Sequence, residues 1–148
     1  MLSITFFTIH YLAYFPTIPA RRYFCFMNWL WVALGGAIGS CARFALSLAW
    51  PFDGKGFPLA TLSVNLFGCL LIGILVPLLP QGWPRLLLIS GVLGGFTTYS
   101  GFGLETQMLL QEGRNGAALA YLLITVLGGI ICTAAGWKAA QFMNLSAS

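Results

Sequence analysis

Four long apolar stretches separated by short polar connections dominate the hydrophobic pattern of this 148-residue chain. Each is long enough to cross about 30 Å of hydrocarbon, which takes roughly 20 residues of helix. The connections carry turn-forming Pro and Gly, and the five tryptophans lie near the ends of the stretches, where interfacial aromatic side chains belong. The pattern therefore predicts an all-α membrane protein with four transmembrane helices, over residues 28–50, 57–79, 85–110 and 117–138.

A polar interruption divides the third apolar stretch. Residues 91–105 contain paired glycines, paired threonines, the two aromatic side chains of Tyr99 and Phe102 at helical spacing, and one carboxylate. In a membrane, backbone that leaves helical hydrogen bonding must be buried in protein or face a polar cavity, and broken helices at mid-membrane are used to hold ions. We expect the third helix to break at mid-membrane at Gly94-Gly95, because glycine adopts backbone angles that other residues avoid.

The composition excludes several classes of protein. Hydrophobic residues make up 59% of the chain, 7% are charged and the mean hydropathy is +0.88, whereas a soluble domain carries about 25% charged residues. No run of basic residues suggests a nucleic-acid partner. No histidine lies near a nucleophile, and neither a HExxH motif nor a phosphate-binding loop is present. The sequence therefore indicates a membrane protein that is not an enzyme.

The basic residues of the short connections give little orientation signal. With four spans, Lys55 and Arg114 fall on one side of the membrane, and Arg85 and Lys138 on the other. Because Lys and Arg in short loops set orientation, this near balance favours neither orientation and leaves both open to the chain. The alternative is that Arg21-Arg22 fix one orientation.

Residues 1–26 form an N-terminal extension ahead of the four-helix domain of residues 27–148. The extension is apolar and aromatic, but its two arginines follow the apolar part, which is the reverse of a signal peptide. The simplest interpretation is that Met27 is the true start and the preceding residues are a mis-called leader. An interfacial segment is the alternative.

Small and polar residues mark candidate contacts within the spans. Gly35 and Gly39 form a GxxxG pattern that permits close helix packing. Arg43 follows one turn later, where a charge is costly unless it faces protein or water. Asn65, in the second span, would cost several kcal/mol if its amide were buried without partners.

Hydrogen-bond donors dominate the remaining polar groups. They are the Asn65 amide, the Tyr121 and Thr125 hydroxyls four residues apart, and N–H groups freed in the third helix. Tyr99 and Phe102 share a helix face, and their ring edges carry the positive side of the aromatic quadrupole. This set suits a small anion that must shed its water, whereas carbonyls freed between Gly94 and Thr97 would suit a hard cation.

At this point three motifs match a known family. From Met27 onward the chain resembles the CrcB/Fluc family of fluoride ion channels, and the similarity covers essentially all four helices. The matching segments are Gly35-Gly36-Ala-Ile-Gly39-Ser-Cys-Ala-Arg43-Phe in the first span, Thr61-Leu-Ser-Val-Asn65-Leu-Phe-Gly68 in the second and Gly94-Gly95-Phe-Thr97-Thr98-Tyr99-Ser100-Gly-Phe102-Gly-Leu-Glu105 in the third. The third segment is the most specific of them.

The resemblance implies an antiparallel, dual-topology homodimer in the cell (inner) membrane, multi-pass, that exports fluoride passively through two pores. It also implies a structural Na⁺ at the dimer interface, held by main-chain carbonyls that match Gly94 and Thr97. The remaining implied roles are fluoride contacts from Asn65, Tyr99 and Phe102, a polar track through Tyr121 and Thr125, and fixed charges in or near aqueous vestibules at Arg43 and Glu105.

The chain also departs from the family pattern. Tyr99 stands where the family usually has Phe, Gly101 where it has Ser or Thr, and Gly129 where a hydroxyl is often found. These departures leave open the conduction rate and whether the chain works with itself or as one subunit of a heterodimeric fluoride channel. A small multidrug-type cation/proton antiporter is the alternative class, but it requires a carboxylate in the first helix, where only Arg43 is charged.

Overall fold

The computed structural model describes residues 26–145, all of them in helices or short connections. Helices α1 (Phe26–Ala49) and α2 (Leu59–Leu78) are followed by a segmented third span (Trp83–Gln111) and by a long final helix, Asn115–Leu145. Each of these four elements is long and apolar enough to cross a membrane. The four predicted spans are confirmed, and the last helix continues seven residues beyond its predicted end at residue 138.

The third span consists of four pieces. A short helical turn, α3 (Trp83–Arg85), leads into a π-helix over Leu86–Leu93 and then a second turn, α4 (Gly94–Phe96). Two extended residues follow, Thr97 (φ −76°, ψ 153°) and Thr98 (φ −146°, ψ 117°), before α5 (Tyr99–Gln111) begins. The predicted break in the third helix is therefore confirmed; the final helix is numbered α6 (Asn115–Leu145).

The predicted position of the break at Gly94-Gly95 is wrong. Gly94 has ordinary helical angles (φ −62°, ψ −37°), and the chain leaves the helix three residues later, at Thr97. The reason is packing, because a Cβ built on Gly95 would lie 2.5 Å from the carbonyl oxygen of Gly36. Gly95 is thus required for the close approach of α1, and the threonines supply the extended backbone.

Two seams of small residues hold the spans together. Along the first, α1 packs against the third span so closely that a Cβ on Gly35 would lie 2.2 Å from Leu87 O. Along the second, α2 packs against α6, where a Cβ on Gly73 would lie 2.3 Å from Thr133 O. Such contacts bring backbones together, which is how membrane helices gain dispersion energy that lipid contacts cannot replace.

Arginine side chains tie the connections to helix ends. Arg85 donates to the carbonyls of Val76 (2.7 Å) and Leu79 (3.0 Å) at the C-terminal end of α2, where carbonyls lack helical partners. On the opposite side, Arg114 donates to Gly54 O and Gly56 O in the connection between α1 and α2. The basic residues at both ends of the bundle therefore help to fix its connections.

The first connection also contains an aspartate turn. The N–H of Lys55 donates to Asp53 Oδ1 at 3.0 Å, and this hydrogen bond holds the pKa of Asp53 below its ordinary value. Asp53 is fully exposed.

The interpretation of residues 1–26 as a mis-called leader stays a prediction. All of these residues except Phe26 lie outside the part of the chain that the structure describes.

Candidate ion-binding site at the helix break

Asn65 of α2 pairs with the backbone of the break. The N–H of Thr98 donates to Asn65 Oδ1 (2.8 Å), and Asn65 Nδ2 donates to the carbonyl of Thr98 (3.0 Å). Because the backbone fixes which atom donates, the orientation of the amide follows from these contacts. One side chain thereby satisfies both peptide groups of a residue that has left the helix, and it fixes the break against α2.

The N-terminus of α5 opens directly after this contact. Thr98 caps the helix, since its Oγ1 accepts a hydrogen bond from the N–H of Gly101 at 3.0 Å. The first-turn N–H groups of Tyr99 and Ser100 have no carbonyl partners within the helix. Together with the helix dipole, which places partial positive charge at an N-terminus, they make this end of α5 favourable for an anion.

The other side of the break presents carbonyl groups. Gly95 O accepts hydrogen bonds from Arg43 Nε (3.1 Å) and Ser40 Oγ (3.5 Å), both of α1. Among residues 26–145, no side chain donates to the carbonyls of Gly94 or Thr97. The two carbonyls that the sequence resemblance assigned to a cation therefore have no side-chain partner among the described residues, and neither does that of Phe96.

Aromatic rings border the break on the α5 side. Phe102 is buried (7% exposed), and its ring lies 5.1 Å from that of Tyr121, centroid to centroid. The ring of Tyr99 lies 5.7 Å from that of Phe102 but is 85% exposed. The two aromatics predicted to act together do touch, but only Phe102 is enclosed by this chain.

Glu105 has two hydroxyl donors inside the bundle. Thr61 Oγ1 donates to Glu105 Oε1 (2.7 Å), and the Tyr121 hydroxyl donates to Glu105 Oε2 (2.6 Å). The carboxylate therefore links α2, α5 and α6, and the hydroxyl proton of Tyr121 is already engaged. The predicted vestibule position of Glu105 and Arg43 stays a prediction; in the structure each charge bonds to protein, and they do not pair with each other.

Thr125 carries the unsatisfied polar atom of this region. Its hydroxyl oxygen is buried and has no hydrogen-bond partner among the described residues. Gly129, one turn later on α6, lies level with Cys69 of α2, whose Sγ would be 3.3 Å from an added Cβ. One turn back along both helices, the same register brings Thr125 level with Asn65. A buried hydroxyl without a hydrogen-bond partner among the described residues is an observation that calls for a ligand or water.

The structure brings most of the predicted site residues to one region and adds others. Glu105 joins Thr61 of α2 to Tyr121 of α6, whose ring lies beside Phe102 of α5, and Asn65 reaches Thr98 from α2. Arg43 reaches the break from α1, whereas the methyl group of Thr97 lies against Gly68 of α2 and Gly94 is exposed. Gly35 and Gly39 lie on the seam between α1 and the third span. Sequence reasoning missed the roles of Ser40, Thr98 and Thr61 as hydrogen-bond partners. Thr61 and Thr98 had visible signals, because Thr61 precedes Asn65 by one helical turn and Thr98 belongs to the pair of threonines in the polar interruption.

These features define a class of membrane protein. It has four spans, its third helix is broken, and a side chain of the second span hydrogen-bonds to the backbone at the break. The family model of the CrcB-like protein, Camphor Resistance (CrcB), matches residues 30–137. The chain belongs to this family, and it is a multi-pass membrane protein.

Curated relatives are similar over most of their length. A protein of Methylobacillus flagellatus is 48% identical over 115 residues, covering 72% of this chain and 89% of the relative. Relatives from Chlorobium phaeobacteroides (44% over 117 residues, 76% and 91%) and Paracoccus denitrificans (45% over 112 residues, 74% and 90%) are similar to the same extent. All three carry the name fluoride-specific ion channel FluC.

Proposed function

We propose that this chain is a fluoride-selective ion channel that exports fluoride passively from the cytoplasm and works as an antiparallel, dual-topology homodimer with a structural Na⁺. The relatives named as fluoride-specific channels support the transported ion. The observation that carries the proposal is the break at Thr97-Thr98, where a helix N-terminus opens in the interior of the third span beside Asn65.

A dehydrated anion needs donors in place of its lost water, and the break supplies several of them. Asn65 uses one amide hydrogen on Thr98 O and keeps the second. The buried Thr125 hydroxyl has no hydrogen-bond partner within residues 26–145, and the first-turn N–H groups of α5 are free of helical bonds. Phe102 adds a ring edge. These donors carry no full positive charge, so an anion can bind and still leave.

Tyr121 takes a different role in the proposal. Its hydroxyl donates to Glu105, so in this state it has no proton left for an anion. We assign it the task of holding the Glu105 carboxylate, with Thr61, away from the Asn65 amide. The carboxylate would otherwise repel an anion in a medium where charge–charge interactions are strong.

The proposed Na⁺ would be held by the carbonyls of Gly94 and Thr97. A carbonyl set fits a hard monovalent cation, and no cluster of three or more His, Cys, Asp or Glu side chains that could hold a metal occurs within residues 26–145. One chain offers two such oxygens, and an inverted copy would offer an equal pair. When bound, the cation would neutralise the carbonyl ends of two facing breaks and join them.

The second copy is supported by what the single chain leaves uncovered. Ser90, Gly94, Tyr99 and Ser100 of the third span are exposed although they lie within a membrane-spanning element. Polar and irregular backbone at that depth needs protein or a water-filled cavity against it. The balanced basic residues of the connections agree with copies inserted in opposite orientations.

The function is tested by reconstituting the purified protein into liposomes loaded with fluoride and measuring efflux with a fluoride electrode. We expect rapid fluoride release once a cation ionophore balances the charge, and no comparable release from matched liposomes loaded with chloride. Fluoride release at the level of protein-free liposomes, or equal release of chloride, would overturn the proposal.

Replacing Phe102 by isoleucine should reduce fluoride flux sharply while the protein still folds. Isoleucine keeps much of the bulk against Tyr121 but removes the ring edge. The same assay measures the effect, with Phe67→Ile as the control, since Phe67 is exposed (53%) and its ring packs on Phe96 rather than on Tyr121. Parental flux in Phe102→Ile would show that the ring only fills space.

A further inference from the structure

The position of Arg43 at the break has a consequence for ion choice. Its guanidinium donates to Gly95 O, the carbonyl that directly follows that of Gly94. We propose that Arg43 is the specificity-determining residue of the cation site, which it restricts to monovalent ions. The inference rests on the proposed cation site at Gly94 and Thr97.

Arg43 acts first by removing a ligand. The extended backbone of Thr97-Thr98 releases several neighbouring carbonyls, and Gly95 O would be a further oxygen for a cation. Arg43 and Ser40 occupy it, as Asn65 occupies Thr98 O. With Gly95 O and Thr98 O occupied, fewer oxygens remain for Ca²⁺, which takes six to eight ligands.

Arg43 acts secondly through its charge. If a cation binds Gly94 O, the positively charged Arg43 guanidinium is bound to the next carbonyl along the chain, Gly95 O. The repulsion between the guanidinium and the ion is twice as large for a divalent ion as for a monovalent one. Divalent ions also lose more hydration energy on binding, which proteins usually offset with carboxylates. The nearest acid along the chain, Glu105, accepts hydrogen bonds from Thr61 and Tyr121 and is not directed to this carbonyl.

The test compares thermal unfolding of the purified dimer in Na⁺, in Ca²⁺ and in a large organic cation. Parent protein should gain thermal stability from Na⁺ and none from Ca²⁺. Arg43→Lys keeps the charge and should behave in the same way. Arg43→Gln keeps an N–H donor for Gly95 O but loses the charge. Ca²⁺ should raise the unfolding temperature of the Arg43→Gln protein. The Ca²⁺ concentration that gives half of this increase should be at least tenfold lower than any that affects the parent.

Arg85→Gln is the matched control, because Arg85 also donates to backbone carbonyls, but to those of Val76 and Leu79 at the C-terminal end of α2 rather than to a carbonyl of the break. It should leave the ion preference unchanged. An Arg43→Gln protein that still ignores Ca²⁺, or a parent that Ca²⁺ stabilises as well as Na⁺ does, would overturn the role of Arg43. A parent that ignores Na⁺ yet releases fluoride would refute the cation site and leave the channel function standing.

Discussion

Replacing Asn65 by aspartate is expected to reduce fluoride flux at least about tenfold, the change that corresponds to roughly 1.4 kcal/mol on a barrier. The size of the side chain hardly changes, and the carboxylate can still accept the hydrogen bond from the N–H of Thr98. The donor to Thr98 O is lost, and so is the second amide hydrogen that is available to an anion. A negative charge at this position also repels the ion, by several kcal/mol at short range in a protein interior.

The measurement is initial fluoride efflux per mole of reconstituted protein from liposomes, together with the elution volume and thermal unfolding of the purified protein. Gln107→Glu is the matched control, because it makes the same change from amide to carboxylate at an exposed position on α5. It should retain flux close to that of the parent. Unchanged flux in Asn65→Asp would mean that the amide only fixes the break and takes no part in conduction.

The four spans could be predicted from sequence because the membrane sets both their length and their composition. Pro, Gly or Trp lies at or within a few residues of the end of each apolar run, so the span ends fall within a few residues of their predicted positions, apart from the C-terminal end of α6. The existence of a break was also visible, since polar residues and glycines cannot interrupt such a run without a structural reason.

The location of the break was not predictable in the same way. Glycine serves two purposes in a membrane helix, irregular backbone and close packing, and the sequence does not distinguish between them. Gly94 and Gly95 are helical in the structure, and Gly95 packs on Gly36. What decides the position is a long-range pairing, Asn65 with both peptide groups of Thr98, which depends on how α2 lies against the third span.

The partners of the charged residues were hidden for a related reason. The sequence does not show whether Glu105 faces water, lipid or protein. Its two hydrogen-bond donors come from α2 and α6, which are distant from Glu105 in the sequence. The π-helix over Leu86–Leu93 had no signal either, because its composition is that of any apolar span. The contacts of Glu105 arise from packing between spans, which hydrophobic periodicity does not encode.

The second large effect is expected at Gly39, where the packing of α1 fixes the third span. A Cβ at this position would lie 2.0 Å from Val92 O and 2.8 Å from Phe96 N, and both atoms belong to the backbone and cannot rotate away. Gly39→Ala should therefore push α1 from the third span and cost about 1–3 kcal/mol, as overpacking does. Because Arg43 and Ser40 follow on the same helix, the shift should also weaken their contacts with Gly95 O.

Gly36→Ala provides the matched control on the same helix, since a Cβ there would meet nothing within 4 Å. Alanine should be neutral at this position or slightly stabilising, by up to about 1 kcal/mol from its higher helix propensity. Thermal unfolding in detergent and fluoride efflux would be measured for both variants. We expect Gly39→Ala to lower the unfolding midpoint and the flux together, because the residues that cap the break move with α1. Equal unfolding midpoints for the two variants would contradict the close contact between Gly39 of α1 and the backbone of the third span.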